Sequence, residues 1–173
     1  MVTLRCTARL LARLGIERHP PEPPPPTNRL GDWYADILVT RPSHLVVCMS
    51  ERSGLAVIVE GRRLDTLVPR FHQRLGELLR TIGVPREAAD RELAATADLG
   101  FGATTNRSAR ALLSSAVREL RYRSPRHPEM SVYDWSIEYA GRPCGNPLQF
   151  PRDTALTLLA PGSSFRLLQG GRS

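Results

Sequence analysis

WYADILVTRPSHLVVCMSERSGLAVIVE, residues 33–60, is the stretch that decides the fold. It contains three runs of strand length, at residues 33–40, 45–49 and 55–60, separated by turn residues. The first run alternates apolar and polar side chains, which is the two-residue period of a strand with one buried face. The middle run is apolar throughout, so it should lie deepest. The pattern predicts a three-strand antiparallel meander.

The segment after this meander predicts the clearest helix of the chain. Apolar residues recur at helical spacing over residues 64–82, with Asp65 as the predicted N-cap and Gly83 just past the C-terminus. A second helix is expected over residues 85–97, because Pro85 suits a first helical turn. A third helix is expected to begin near Ser108.

The N-terminal part predicts a strand, a helix and a connector. Residues 2–5 have strand character, and residues 7–14 form a predicted helix between Thr7 as N-cap and Gly15 as the terminating glycine. Residues 19–27 are rich in proline, which favours an extended polyproline form without donors for a sheet. We therefore expect a stiff surface connector at this position.

The length of 173 residues allows one principal domain. We expect residues 1–123 to form an α+β domain and residues 124–173 to form an extension packed on its core. Aromatic residues alternate with polar ones over residues 133–139, which predicts one more strand, and the chain should fray from about residue 162. The expected fold is a small antiparallel sheet that includes the meander, with helices packed mainly on one face.

The composition narrows the partners and the compartment. All 24 basic residues are arginine and the formal net charge is +7, which attracts polyanions. No apolar run approaches the roughly 18 residues that span a bilayer, so no membrane partner is expected. An odd number of distant cysteines favours a reducing, cytoplasmic compartment. The histidine spacing is unlike that of zinc sites, so no metal or cofactor is expected, and the oligomeric state is left open.

The third helix carries the strongest functional signal. At about 100° per residue, its apolar residues share one side and its arginines share another. The arginines of this arc are Arg107, Arg110, Arg118 and Arg121. We expect them to bind an anionic partner, nucleic acid or an acidic protein, without catalysis. One alternative is a solvated surface helix without a partner. Another is that these arginines pair with acids of neighbouring elements, such as Glu87, Asp90 or Glu92.

The approach to this helix offers a second candidate site. Residues 100–108 place glycines and hydroxyls before a helix N-terminus, where free N–H groups attract anions. Asn106, Arg107 and Ser108 therefore join the predicted anion-binding set, although a simple N-cap is the plainer interpretation. An enzyme or small-anion binder that uses this loop with Asp32 is one alternative function, but no catalytic signature is present. A protein-interaction domain is another.

Three segments, which we call the family segments, carry a resemblance. They are LRCTARLL at residues 4–11, LGDWYA at residues 30–35 and TNRS at residues 105–108. In combination they resemble an uncharacterised bacterial family of domains of unknown function, over about residues 1–123. Ala8 and Arg9 replace the usual pair of basic residues of that family's opening. The resemblance implies a bacterial, cytoplasmic origin and no particular activity. It draws attention to Asp32, Trp33, Asn106, Arg107 and Ser108.

Overall fold

A computed structural model describes residues 1–160 of the chain, so the predicted fraying from residue 162 lies outside the described residues. The strands of this part are β1 (Val2–Cys6), β2 (Trp33–Leu38), β3 (Leu45–Ser50), β4 (Ala56–Glu60) and β5 (Leu99–Ala103). The helices are α1 (Ala8–Leu14), α2 (Leu67–Thr81), α3 (Arg86–Thr96), α4 (Arg107–Arg123), α5 (Val132–Ala140) and α6 (Pro151–Leu159). The fold class is α+β, with a five-stranded mixed sheet.

The strand order across the sheet is β4-β3-β2-β1-β5. Strands β2, β3 and β4 pair antiparallel, whereas β1 pairs parallel with both β2 and β5. The predicted small antiparallel sheet is therefore only part of a five-stranded mixed sheet. The local turns join only β2, β3 and β4, while β1 and β5 reach the sheet from distant parts of the chain.

Strand β5 occupies part of the segment that was predicted as a loop. Its glycines discourage a strand assignment from sequence, yet close packing requires one of them. A Cβ atom on Gly102 would lie 2.9 Å from Thr3 Cγ2 and 3.4 Å from Pro23 Cγ. The proline-rich connector thus lies over β5 and β1, where a larger side chain would not fit.

Helices cover both faces of the sheet, which corrects the expectation that they pack mainly on one. The first core cluster includes Val46 of β3 and Leu75 of α2. The second core cluster includes Ile58 of β4 and Leu120 of α4. The buried apolar residues of α2 and α4 are therefore divided between two core clusters on opposite faces of the sheet. Because β3 is apolar on both sides, it needs cover on both.

The aromatic alternation of residues 133–139 belongs to helix α5, so the strand prediction was wrong. The buried positions Val132, Trp135, Ser136 and Tyr139 follow helical spacing. Ser131 and Asp134 form a capping box that starts the helix. Helix α5 packs beside β4, where Ile58 N–H donates a 2.9 Å hydrogen bond to Ser136 Oγ.

The predicted N-cap is confirmed for α1 and wrong for α2. Thr7 caps α1 through its hydroxyl, and Gly15 ends that helix at a φ of 69°, as expected. Asp65 does not cap α2, because a 3-10 turn at Leu64–Thr66 precedes it and the Asp65 carboxylate pairs with Arg63. Helix α6 also packs in the first core cluster, through Ala155 and Leu159.

Candidate functional site

Helix α4 is held in place by capping hydrogen bonds at its N-terminus and by apolar packing along one side. The Oδ1 atom of Asn106 accepts hydrogen bonds from the backbone N–H groups of Ser108, at 2.9 Å, and Ala109, at 3.2 Å. Its apolar side is buried in the second core cluster and consists of Ala109, Leu113, Ala116, Val117 and Leu120. The opposite side of α4 faces solvent as a consequence.

That solvent side carries the predicted arginines, which we call the arginine face: Arg107, Arg110, Arg118 and Arg121. All four are exposed. None of them forms a salt bridge or a side-chain hydrogen bond with another residue of the described chain, 1–160. They fall within an arc of about 80° around the helix. Four uncompensated charges therefore share one narrow strip of surface.

Two acids along this helix, Glu119 and Glu138, are held by other arginines. Arg123 Nη1 lies 2.5 Å from Glu138 Oε1 and 3.4 Å from Glu119 Oε1, and hydrogen bonding to Glu138 raises the pKa of Arg123. Arg142 also pairs with Glu119. These contacts join α4 to α5, and they leave Glu119 and Glu138 engaged away from the arginine face.

The acids of α3 lie on the other face of the sheet from the arginine face. Glu92 is buried and accepts hydrogen bonds from Asn28 Nδ2 at 2.6 Å and from the backbone of Leu30 at 3.1 Å. Asp90 lies 3.7 Å from Arg86. Helix α3 packs in the first core cluster, on the other face of the sheet from α4. The alternative in which α3 neutralises the arginines was therefore wrong.

Asn106 ties the start of α4 to the strand meander. Its backbone N–H donates a 3.0 Å hydrogen bond to Tyr34 OH, and its Nδ2 donates one of 3.0 Å to Glu51 Oε1. Tyr34 OH also lies 3.2 Å from Thr105 Oγ1. Glu51 follows β3 directly, so Asn106 holds a helix end, a strand and a turn together. This geometry gives Asn106 a structural role.

Asp32 lies in a buried polar network at the start of β2. Its Oδ1 accepts a hydrogen bond from Thr3 N–H at 3.0 Å, and its Oδ2 accepts one from Arg5 Nε at 2.7 Å. Arg5 also donates to the carbonyl of Ala103 and to Glu22. Burial lowers the pKa of Arg5, but hydrogen bonds to Glu22 and Asp32 outweigh that effect and raise it overall. Both carboxylate oxygens of Asp32 are thus occupied.

Trp33 is directed away from the arginine face. It is fully buried in the first core cluster, where its ring meets Phe71 edge-on at a centroid distance of 5.0 Å. Asp32 and Trp33 therefore do not gather around Arg107 and Ser108. The residues that join the family segments, Arg5 and Tyr34, were not singled out from sequence, although both lie inside those segments.

Two clefts border the second face of the sheet. One, of about 330 Å³, is lined by Leu112, Glu119 and Tyr139 among others, and one of about 350 Å³ is lined by His127 and Trp135 among others. Neither is lined by Asn106 or Arg107. Across residues 1–160, no group of three or more His, Cys, Asp or Glu side chains is placed to hold a metal ion, and no helix has the length and apolarity to cross a bilayer.

Residues 3–154 match a family described as Domain of unknown function (DUF6933). The chain belongs to this family. The match continues beyond residue 123, so the DUF6933 region includes α5 and part of α6. No curated protein and no solved structure matches the chain. In this DUF6933 protein, the family segments meet in hydrogen-bonded contacts between secondary-structure elements.

Proposed function

We propose that this DUF6933 protein is a non-enzymatic module of the bacterial cytoplasm that binds nucleic acid through the arginine face of α4. The observation that carries the proposal is that none of the four exposed arginines forms a salt bridge with an acid of residues 1–160, while Glu119 and Glu138 are bound by Arg123 and Arg142. Uncompensated charges of one sign raise the local concentration of a polyanion.

The dimensions of the arginine face suit a phosphate backbone. Arg107 and Arg121 are 14 positions apart, or about 21 Å along the helix axis. A guanidinium group can donate two parallel hydrogen bonds to one phosphate. Contacts of this kind position a protein on nucleic acid without reading its bases. We therefore expect binding with little sequence preference and with strong dependence on salt.

The test compares two double charge reversals with equal changes in net charge. Arg110→Glu/Arg118→Glu alters the arginine face. Arg80→Glu/Arg91→Glu alters two exposed arginines of α2 and α3, which lie on the other side of the sheet and have no ion pair within residues 1–160. Binding of a fluorescent oligonucleotide is followed by anisotropy at two salt concentrations, and the thermal melt of each variant is recorded.

We expect the arginine-face variant to bind more weakly by about tenfold or more, with a flatter salt dependence, because fewer counterions are released. The control variant should keep most of the affinity, and both should melt close to the wild type. Absence of binding by the wild type at low salt would overturn the proposal. Equal losses of affinity in both variants would also overturn the proposal, because they would show an effect of net charge and not of the arginine face. Binding of polyglutamate but not of oligonucleotides would favour an acidic protein partner.

A further inference from the structure

Helix α4 carries one exposed aromatic residue beside the arginine face. Tyr122 is 63% exposed, although it lies on a helix whose other side is fully packed. It follows Arg121 directly and lies one turn after Arg118, about 40° around the helix from it. The ring is therefore within reach of a ligand that runs along the arginine face.

A guanidinium group holds this ring in place. The Cζ atom of Arg126 lies 3.7 Å from the centroid of the Tyr122 ring, and Arg126 Nη1 donates a 2.6 Å hydrogen bond to the carbonyl of Tyr122. Arg126 follows in the 3-10 turn Ser124–Arg126, which extends α4. A planar cation stacked on an exposed ring makes a flat, positively charged platform that a second planar group can extend.

The neighbouring arginines do not offer the same surface. Arg123 lies over Trp135 at 4.9 Å, but Trp135 is buried and Arg123 is engaged by Glu138. Arg142 lies over Tyr139, which is also buried. Of these three cation–aromatic pairs, only that of Arg126 and Tyr122 is open to solvent. It is also the pair at the end of the arginine face.

We infer that the ligand of this surface is single-stranded nucleic acid, with one base stacked at Tyr122 and Arg126 and phosphates along the arginine face. The inference rests on the proposed function and specifies its ligand class. In a duplex the base faces are stacked on one another and only their edges are accessible, so an exposed ring has no planar partner there. A single strand presents its bases to aromatic and guanidinium planes.

The experiment separates stacking from charge by using three ligands. Wild type, Tyr122→Ala and Tyr122→Phe are titrated with a fluorescent oligothymidylate of about 12 nucleotides, with the corresponding duplex, and with heparin, a polyanion without bases. Arg110→Glu/Arg118→Glu is titrated in parallel. For the two Tyr122 variants, heparin binding also reports whether the arginine face is intact.

We expect the wild type to bind the single strand more tightly than the duplex. Tyr122→Ala should weaken single-strand binding by about fivefold or more while leaving heparin binding unchanged, and Tyr122→Phe should bind like the wild type because it keeps the ring. Duplex binding as tight as single-strand binding, or a Tyr122→Ala variant that binds the single strand normally, would overturn the inference. The proposed function would survive that result if the arginine-face variant still loses affinity, and both would fall if the wild type binds none of the three ligands.

Discussion

Arg5 Nε donates a 2.7 Å hydrogen bond to Asp32 Oδ2, and the two side chains are only 8% and 2% exposed. This ion pair joins two family segments, since Arg5 belongs to residues 4–11 and Asp32 to residues 30–35. Asn106, from the third segment, reaches Tyr34 of the second. The motifs that suggest the family are therefore joined by contacts that position strands and a helix end.

We expect Asp32→Ala to lower the free energy of unfolding by about 3 kcal/mol, because it removes the buried carboxylate from the Arg5 ion pair and leaves that guanidinium only the exposed Glu22 and the Ala103 carbonyl. Urea denaturation measures the loss. The control is Asp65→Ala, which removes a partner of Arg63 from a pair whose side chains are 64% and 75% exposed. The control should unfold almost like the wild type. Equal stability of Asp32→Ala and wild type would show that this ion pair is not structural.

Asn106→Ala should destabilise the protein by about 1 kcal/mol or more, because it removes an N-cap. It also removes the hydrogen bond to Glu51. Asn106→Ser keeps a capping oxygen and should recover part of the loss. Thermal melts give the stability, and the oligonucleotide titration gives the affinity. If Asn106→Ala instead melts like the wild type and loses affinity, the residue belongs to a binding site.

Because the two core clusters are separate, mutations in different clusters should have additive effects on the free energy of unfolding. Ile37 lies in the first cluster and Ile58 in the second, on opposite faces of the sheet. Ile37→Val and Ile58→Val should each lower the free energy of unfolding by about 1 kcal/mol, and their double variant by nearly the sum. Ile37→Val with Val46→Ala is the comparison, because these cross-strand neighbours share the first cluster and should couple. Strong coupling between Ile37 and Ile58 would argue for one continuous core.

The three cysteines should differ in reactivity. Burial, with a smaller contribution from the charge of Asp36, raises the pKa of Cys6 to about 12, and burial raises that of Cys48 well above its ordinary value. Cys144 is only partly buried, and burial raises its pKa as well. A raised pKa lowers the thiolate fraction at a given pH, so reaction should accelerate only as the pH rises towards the raised value.

A disulfide reagent at about pH 8.5, the ordinary pKa of a thiol, tests this order. The native protein should show one accessible thiol, and Cys144→Ser should abolish that reaction. Unfolding in urea should expose all three. Rapid reaction of Cys6 or Cys48 in the native protein would mean that β1 or β3 opens readily, since both thiols are buried there.

Local patterns predicted the elements whose residues follow a single period. The meander strands were recognisable because apolar and polar residues alternate between turns, and α2 because its apolar residues keep helical spacing. Residues 133–139 satisfied both periods. The segment forms a helix, which a capping box at Ser131 begins and whose buried side includes Trp135 and Ser136. Strand β5 was missed because glycines give no apolar signal, and its pairing with β1 depends on residues almost a hundred positions away.

The sequence by itself determined that α4 is amphipathic and that its polar side is rich in arginine, because helical spacing places those residues on one side whatever the rest of the chain does. Only the tertiary structure decided which charges remain uncompensated. The packing of α5 on the sheet brings Glu138 to Arg123 and Arg142 to Glu119, and Glu92 turns inward on the opposite face. These ion pairs depend on distances of a few ångströms between residues far apart in the chain, and no local pattern contains those distances.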